Sequence, residues 1–229
     1  MAKANAQRFA VIGLGRFGSR LAASLALGGQ EVIGIDLDPQ VIEDMRDRVT
    51  LAISLDASDD QVLRAHGIDQ VDVAVVAIGT NLESAAMVTV ALKQIGIARI
   101  ISRAMNPTTG LILSRIGADE VVYPEDESAD RLANRLANPH YLKQLELDAT
   151  HSIIELKTPS AWVGKSLGDL HPRKELGINV VAIKRTQFDQ NETRHQIVHL
   201  PSPEDPLKAD DVLILVGQDV DLARLGRKT

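Results

Sequence analysis

Three glycines, at positions 13, 15 and 18, constrain this chain more than any other feature. They follow the short apolar run Phe9-Ala10-Val11-Ile12. They open a stretch, 16–27, in which Phe17, Leu21, Leu25 and Ala26 recur at helical spacing. A glycine loop between a strand and a helix turns main-chain N–H groups outward at the positive end of a helix dipole, and so favours an anion. In that frame Gly13 permits the tight turn, Gly15 lets a phosphate approach the backbone, and Gly18 lets helix and strand pack closely. A second apolar run, 31–35, ends at Asp36, about 20 residues past the loop, where a carboxylate meets ribose hydroxyls. Asp36 and Asp38 together repel a 2′-phosphate, which disfavours NADP. Arg16 stands inside the loop, where NAD enzymes commonly carry an uncharged residue. A guanidinium beside phosphates favours ATP or ADP, with NAD as the alternative.

The rest of the first half repeats the theme. Strands are expected at 51–55, 71–78, 99–102 and 120–123, with helices at 39–47, 59–65, 81–94 and 107–116. Alternating strand and helix means parallel strands joined by right-handed crossovers. Aromatics make up only 3% of the chain, so the core must be aliphatic, as suits strands covered on both faces. The expected fold is α/β: a doubly wound parallel Rossmann sheet over 1–125. Residues 126–147 read as a polar helix–turn–helix, interrupted at Asn138-Pro139 and carrying Leu132, Leu136, Tyr141, Leu142 and Leu145. Such a hairpin either packs on its own sheet or crosses to a second subunit, and the second is the expectation here. From 148 to 229 a smaller α+β unit follows, with strands at 152–156, 179–184, 196–200 and 211–216, a proline-rich turn at 201–206 and a closing helix at 219–225.

Several function classes fall away. The net charge is −6, against a general nucleic-acid binder. There is no cysteine, which removes disulfides and thiolate sites. No apolar run approaches the ~20 residues that span a bilayer, and the first eight residues lack an apolar signal core, so a cytoplasmic chain is expected. The second unit carries His151, His171, His195 and His199 but no recognisable acid–base or metal constellation. On a strand, His195 and His199 stand about 13 Å apart, too far for one metal. A nucleotide site without catalytic apparatus reads as a sensor rather than an enzyme. An NAD-binding redox sensor and a small NAD-dependent oxidoreductase are the alternatives.

Three segments resemble a known family: residues 9–18, Val75-Val76-Ala77-Ile78-Gly79, and Ile116-Gly117-Ala118-Asp119-Glu120-Val121-Val122-Tyr123-Pro124-Glu125. They look like the RCK (regulator of potassium conductance) domains, in the TrkA-N/TrkA-C arrangement of the cytosolic regulatory subunits of Ktr-type potassium uptake systems. The resemblance implies dimers built into an octameric ring beneath a membrane potassium-translocating subunit, with ATP and ADP exchange changing the ring. It implies that Gly13, Gly15, Arg16, Phe17 and Gly18 form the phosphate loop, with Asp36 as the ribose acid. Asp56 and Ala57 would lie near adenine, Ile78 and Gly79 beside the nucleotide, and Arg103 near the phosphates. Glu125 would help hold Mg2+ or another divalent cation. Val163-Gly164-Lys165-Ser166-Leu167 and the stretch from Arg173 through Gly177, Ile178, Asn179 and Val180 resemble the C-terminal domain, which binds cyclic di-AMP in some members. There Arg173, Ile178 and Asn179 would form the second ligand site.

Overall fold

A computed structural model describes residues 6–188 and 194–226 of the chain, which divide into two compact units, 1–127 and 128–229. The first unit holds β1 (Arg8–Ile12), α1 (Arg16–Leu27), β2 (Glu31–Asp36), α2 (Pro39–Met45), β3 (Leu51–Ser54), α3 (Asp60–Ala65), β4 (Val73–Val76), α4 (Leu82–Ile95), β5 (Arg99–Arg103), α5 (Pro107–Ile116) and β6 (Glu120–Val122). The six strands lie in the order β3-β2-β1-β4-β5-β6, all parallel, which is the doubly wound Rossmann sheet. The order in which strands are added reverses between β1 and β4. At that switch point, ligands of such sheets sit beyond the strands' carboxyl ends.

Local chemistry places the helices. Asn81 caps α4 by accepting from the Ser84 amide at 3.1 Å, and Asn106 caps α5 by accepting from Thr109 at 2.9 Å. Asp38 and Asp59 do the same for α2 and α3, accepting from Gln40 and Gln61. α1 is the exception. It begins at Gly15 with no side-chain cap and no acidic residue in its first turn. The aliphatic core is fully closed around Ile35, Leu63, Ile68, Leu92, Ile100 and Leu113. Each buried side chain of this kind contributes about 1.5–3 kcal/mol of apolar transfer. One polar pair sits inside it. Thr89 of α4 donates to the Ala85 carbonyl at 2.7 Å and lies 3.1 Å from the Ser102 hydroxyl of β5, so helix and strand are pinned in register.

A helix α6 (Pro124–Ala137) carries the chain out of the first unit. None of its residues is buried; Leu132 and Leu136 are 45% and 70% exposed. The expected second helix of this segment does not form. Residues Tyr141–Glu146 are instead a strand, β7, antiparallel to β8 (His151–Lys157). A register shift between Tyr141 and Lys143 moves the inward positions from a spacing of two to three. Leu142 and Leu145, which with Tyr141 give the segment its helical spacing, are exposed on this bulged strand.

The second unit continues through α7 (Leu167–Leu170), α8 (Pro172–Leu176), β9 (Asn179–Phe188), β10 (Arg194–His199), β11 (Val212–Gln218) and α9 (Asp219–Gly226). Its five-stranded antiparallel sheet runs β10-β9-β11-β8-β7. β8 alternates as its sequence promises, with Ser152, Ile154 and Leu156 inward. Trp162, Ile178, Ile183, Leu213, Leu215 and Leu222 complete that core. The α+β character expected of this half is what the structure has.

Candidate functional site

The glycine loop sits where β1 ends. Gly13 has φ +87°, a left-handed conformation that side chains other than glycine rarely adopt. Its N–H donates to the Ile35 carbonyl at 2.8 Å, tying the turn to β2. A Cβ on Gly13 would lie 2.8 Å from Cγ1 of Ile78, so Ile78 supports the turn from beyond β4. A Cβ on Gly18 would overlap the Gly13 carbonyl oxygen and sit 3.1 Å from the Ala77 methyl, which forces α1 down onto the loop. Gly15 faces the other way: a Cβ there would meet no atom within 4 Å. Open space above Gly15, an uncapped α1 and no acidic residue in its first turn together fit an anionic ligand group.

Asp36 closes the loop from the side. Its carboxylate accepts from the Leu14 amide at 2.6 Å and from the Asp38 amide at 3.0 Å. A carboxylate has about four acceptor sites, so capacity remains for sugar hydroxyls. Two things follow from one residue: loop shape and the sign of charge beside it. Ser19 adds a fastening that sequence reasoning missed, its hydroxyl donating to the Leu14 carbonyl. A serine one turn into a helix is too common a feature to have signalled that.

Asp56 and Ala57 follow β3. Ala57 is buried in the first core, while Asp56 is exposed. Hydrogen bonds from the Ser58 hydroxyl (2.7 Å) and Ser58 amide (2.9 Å) hold the Asp56 carboxyl below the usual carboxylate range. Arg16 is exposed on the first turn of α1, and Phe17 beside it is half-buried.

Arg103, at the end of β5, crosses the sheet's carboxyl edge. Its guanidinium is 5.8 Å from the Phe17 ring centroid. It lies flat against Gly79, where an added Cβ would come within 2.5 Å of Cζ. It forms an ion pair with Glu125 in the first turn of α6. Its Nε is buried with no hydrogen-bond partner. Sequence reasoning singled out Phe17, Gly79, Arg103 and Glu125 separately; the structure joins them into one cluster. A donor buried without a partner beside a glycine loop is a second observation that fits an anion. Glu125 is engaged by Arg103, and among the described residues no three His, Cys, Asp or Glu side chains gather to hold a metal ion. A divalent cation here would therefore need oxygen ligands from elsewhere, such as phosphates and water.

In the second unit Arg173 lies on the five-residue helix α8, Ile178 is fully buried, and Asn179 begins β9. The Ile178 amide donates to the Pro172 carbonyl at 3.3 Å. Arg173 and Asn179 are exposed around a tight turn, whereas Ile178 offers a ligand no side chain. His195 and His199 lie on β10, and His199 hydrogen-bonds to Asp205 at 3.1 Å.

Comparison with known proteins agrees with this architecture. Residues 9–124 match the TrkA-N domain model and residues 151–229 the TrkA-C domain model. The Ktr system potassium uptake protein C of Bacillus subtilis is 34% identical over 97% of this chain and 97% of its own length. The Ktr system potassium uptake protein A of the same organism is 30% identical over 98% and 97%. Among solved structures, the GsuK RCK domain aligns with all of this chain and 48% of its own at a TM-score of 0.59 and 16% identity, a likeness of fold. The chain thus spans about half the length of that structure. With both domain models matched in order and the relatives aligned nearly end to end, the chain belongs to the TrkA-N/TrkA-C family of RCK proteins, alongside the Ktr potassium uptake proteins A and C.

Proposed function

We propose that this chain is the nucleotide-sensing regulatory subunit of a potassium uptake system. The observation that carries the reading is the uncapped start of α1 with free space above Gly15. The family supplies the physiological setting, since the nearly full-length relatives are named as potassium uptake proteins. The amides that open α1 would hold phosphate, Asp36 would engage ribose, and Asp56, the main chain at Ala57, Ile78 and Gly79 would line the nucleoside end. A bound nucleotide supplies negative charge at the loop. Arg16 answers that charge from the exposed side of α1, and Arg103 from β5. ATP and ADP are the nucleotides proposed, and a ligand regulates only if it binds two states unequally.

No helix among the described residues is long and apolar enough to cross a membrane. The potassium uptake relatives support a chain that acts from the cytoplasmic side on a separate membrane potassium-translocating subunit. Exposed Leu132 and Leu136 on α6 support assembly through a second copy, as a homodimer within an octameric ring. Glu125 would contribute to a divalent-cation site once the nucleotide's oxygens are present. Cyclic di-AMP would meet Arg173 and Asn179 only, because Ile178 is closed off. No catalytic role is proposed.

The test is nucleotide titration of an Arg16→Ala variant by calorimetry. The variant should fold normally and lose the preference for ATP over ADP by about tenfold, the loss of one charge-assisted contact worth roughly 1.5 kcal/mol. Unchanged discrimination would remove Arg16 from the site.

A further inference from the structure

The Arg103 cluster carries more than a binding role. This guanidinium has three neighbours. Gly79 lies against one face, the Phe17 ring is 5.8 Å from its carbon, and Glu125 takes one terminal nitrogen. Its side chain is 18% exposed, while that of Glu125 is 61% exposed. Packing therefore keeps the Arg103 side chain beside Phe17 and Gly79, while its partner is free to leave into water. Glu125 lies in the first turn of α6, the helix along which the chain leaves the first unit. Phe17 lies in the first turn of α1, the turn that would receive phosphate.

We infer that Arg103 is a shared counter-ion, and that Glu125 and an anion at the glycine loop compete for it. The inference rests on the reading of the loop as a phosphate site. With the loop empty, Glu125 balances the Arg103 charge through one terminal nitrogen, leaves Nε without a partner, and fixes the first turn of α6. An anion entering over Phe17 draws the guanidinium toward itself, and Glu125 loses its partner. Gly79 is what lets the planar head turn between the two, since any side chain there would meet Cζ. Anion binding then costs the Arg103–Glu125 pair, and by linkage the pair lowers anion affinity by the same factor. Arg103 is thus a positioning residue that reports occupancy of the loop to α6.

Competition for Arg103 is separated from simple relief of charge repulsion by a double substitution. In EDTA, with divalent cations removed, full-length Glu125→Gln should bind ADP about three- to tenfold more tightly than wild type, because Arg103 is no longer shared. That gain should vanish in the Arg103→Met background, which keeps an apolar stem beside Phe17 and Gly79 but has no guanidinium. A gain that persists in Arg103→Met would mean general relief of repulsion, and it would overturn the competition. So would unchanged or weaker ADP binding by Glu125→Gln. Amide hydrogen exchange of the nucleotide-free protein gives a readout independent of binding. Protection in the first turns of α6 should fall in both Glu125→Gln and Arg103→Met relative to wild type. Exchange equal to wild type in both variants would also overturn the inference. Should wild type itself bind no adenine nucleotide, the parent reading fails, whereas an intact wild-type affinity without the Glu125→Gln gain fails the competition alone.

Discussion

A Gly15→Val variant is expected to fold like wild type and to lose adenine-nucleotide affinity on the order of 100-fold. The backbone at Gly15 (φ −62°, ψ −168°) is one that any residue adopts, and a Cβ there touches no protein atom within 4 Å. Exchanging glycine for valine at a helix start costs on the order of 0.5–2 kcal/mol, too little to unfold a domain of ordinary stability. The same side chain fills the space through which a phosphate reaches the α1 amides. Two lost charge-assisted hydrogen bonds, at about 1.5 kcal/mol each, account for the 100-fold figure. Gly18→Ala is the contrast. Its methyl would overlap the Gly13 carbonyl oxygen, so it should destabilise the first unit itself, by about 1–3 kcal/mol. Urea unfolding together with ADP titration separates the two. A Gly15→Val protein that binds ADP as tightly as wild type would mean that phosphate does not approach there.

The second large effect lies in the second unit and concerns its stability. Asp211 is fully buried just before β11, and Arg185 of β9 holds it with two hydrogen bonds, Nε to Oδ1 at 2.8 Å and a terminal nitrogen to Oδ2 at 2.7 Å. The Lys208 amide adds a third at 2.9 Å. Burial pushes the Asp211 carboxyl up. The Arg185 hydrogen bonds and charge, with the Lys208 amide, outweigh it and hold the carboxyl below its ordinary value. A depressed folded-state value means stability that is present above the unfolded carboxylate range, near 3.9, and is lost only as pH falls through the folded value.

Arg185→Met should strand a buried carboxylate and cost about 3–5 kcal/mol at pH 7. In that variant burial, the largest influence, is opposed only by the Lys208 amide and charge, so the folded value rises above the unfolded one and the penalty should shrink on acidification. The single tryptophan, Trp162, is buried in the same unit and reports the transition by fluorescence. Urea midpoints at pH 7 and pH 5 should therefore converge between variant and wild type as pH falls. A gap that is small, or that widens toward pH 5, would contradict this account of Asp211.

The first unit was legible because its signals are local and agree with one another. The glycine spacing, the acid after β2, the Asn and Asp caps and the proline at the start of α5 each act within a few residues of where they stand. Strand β4 is shorter than its apolar run, since the flanking Val71 and Ala77 are buried without belonging to the ladder. What the sequence concealed arises from geometry that no spacing encodes. Residues 141–146 read as helix because Tyr141, Leu142 and Leu145 recur at helical intervals, yet Leu142 and Leu145 are exposed positions of a strand. The meeting of Phe17, Gly79, Arg103 and Glu125 joins residues from four places in the chain. Each was visible alone, but their contact depends on how β4 and β5 end beside α1. Ile178 fell inside the second ligand stretch by motif, and a pattern match carries no information about which side chains the core claims.

Backbone amide NMR of the full-length protein, followed while ADP is added, bears most directly on the nucleotide reading. Saturable shifts concentrated at Gly15, Arg16, Phe17 and Gly18, with smaller ones at Asp36 and Gly79, are the expected result. Shifts that leave those amides unmoved at millimolar ADP, ATP and NAD, or that cluster only in the second unit, would contradict it.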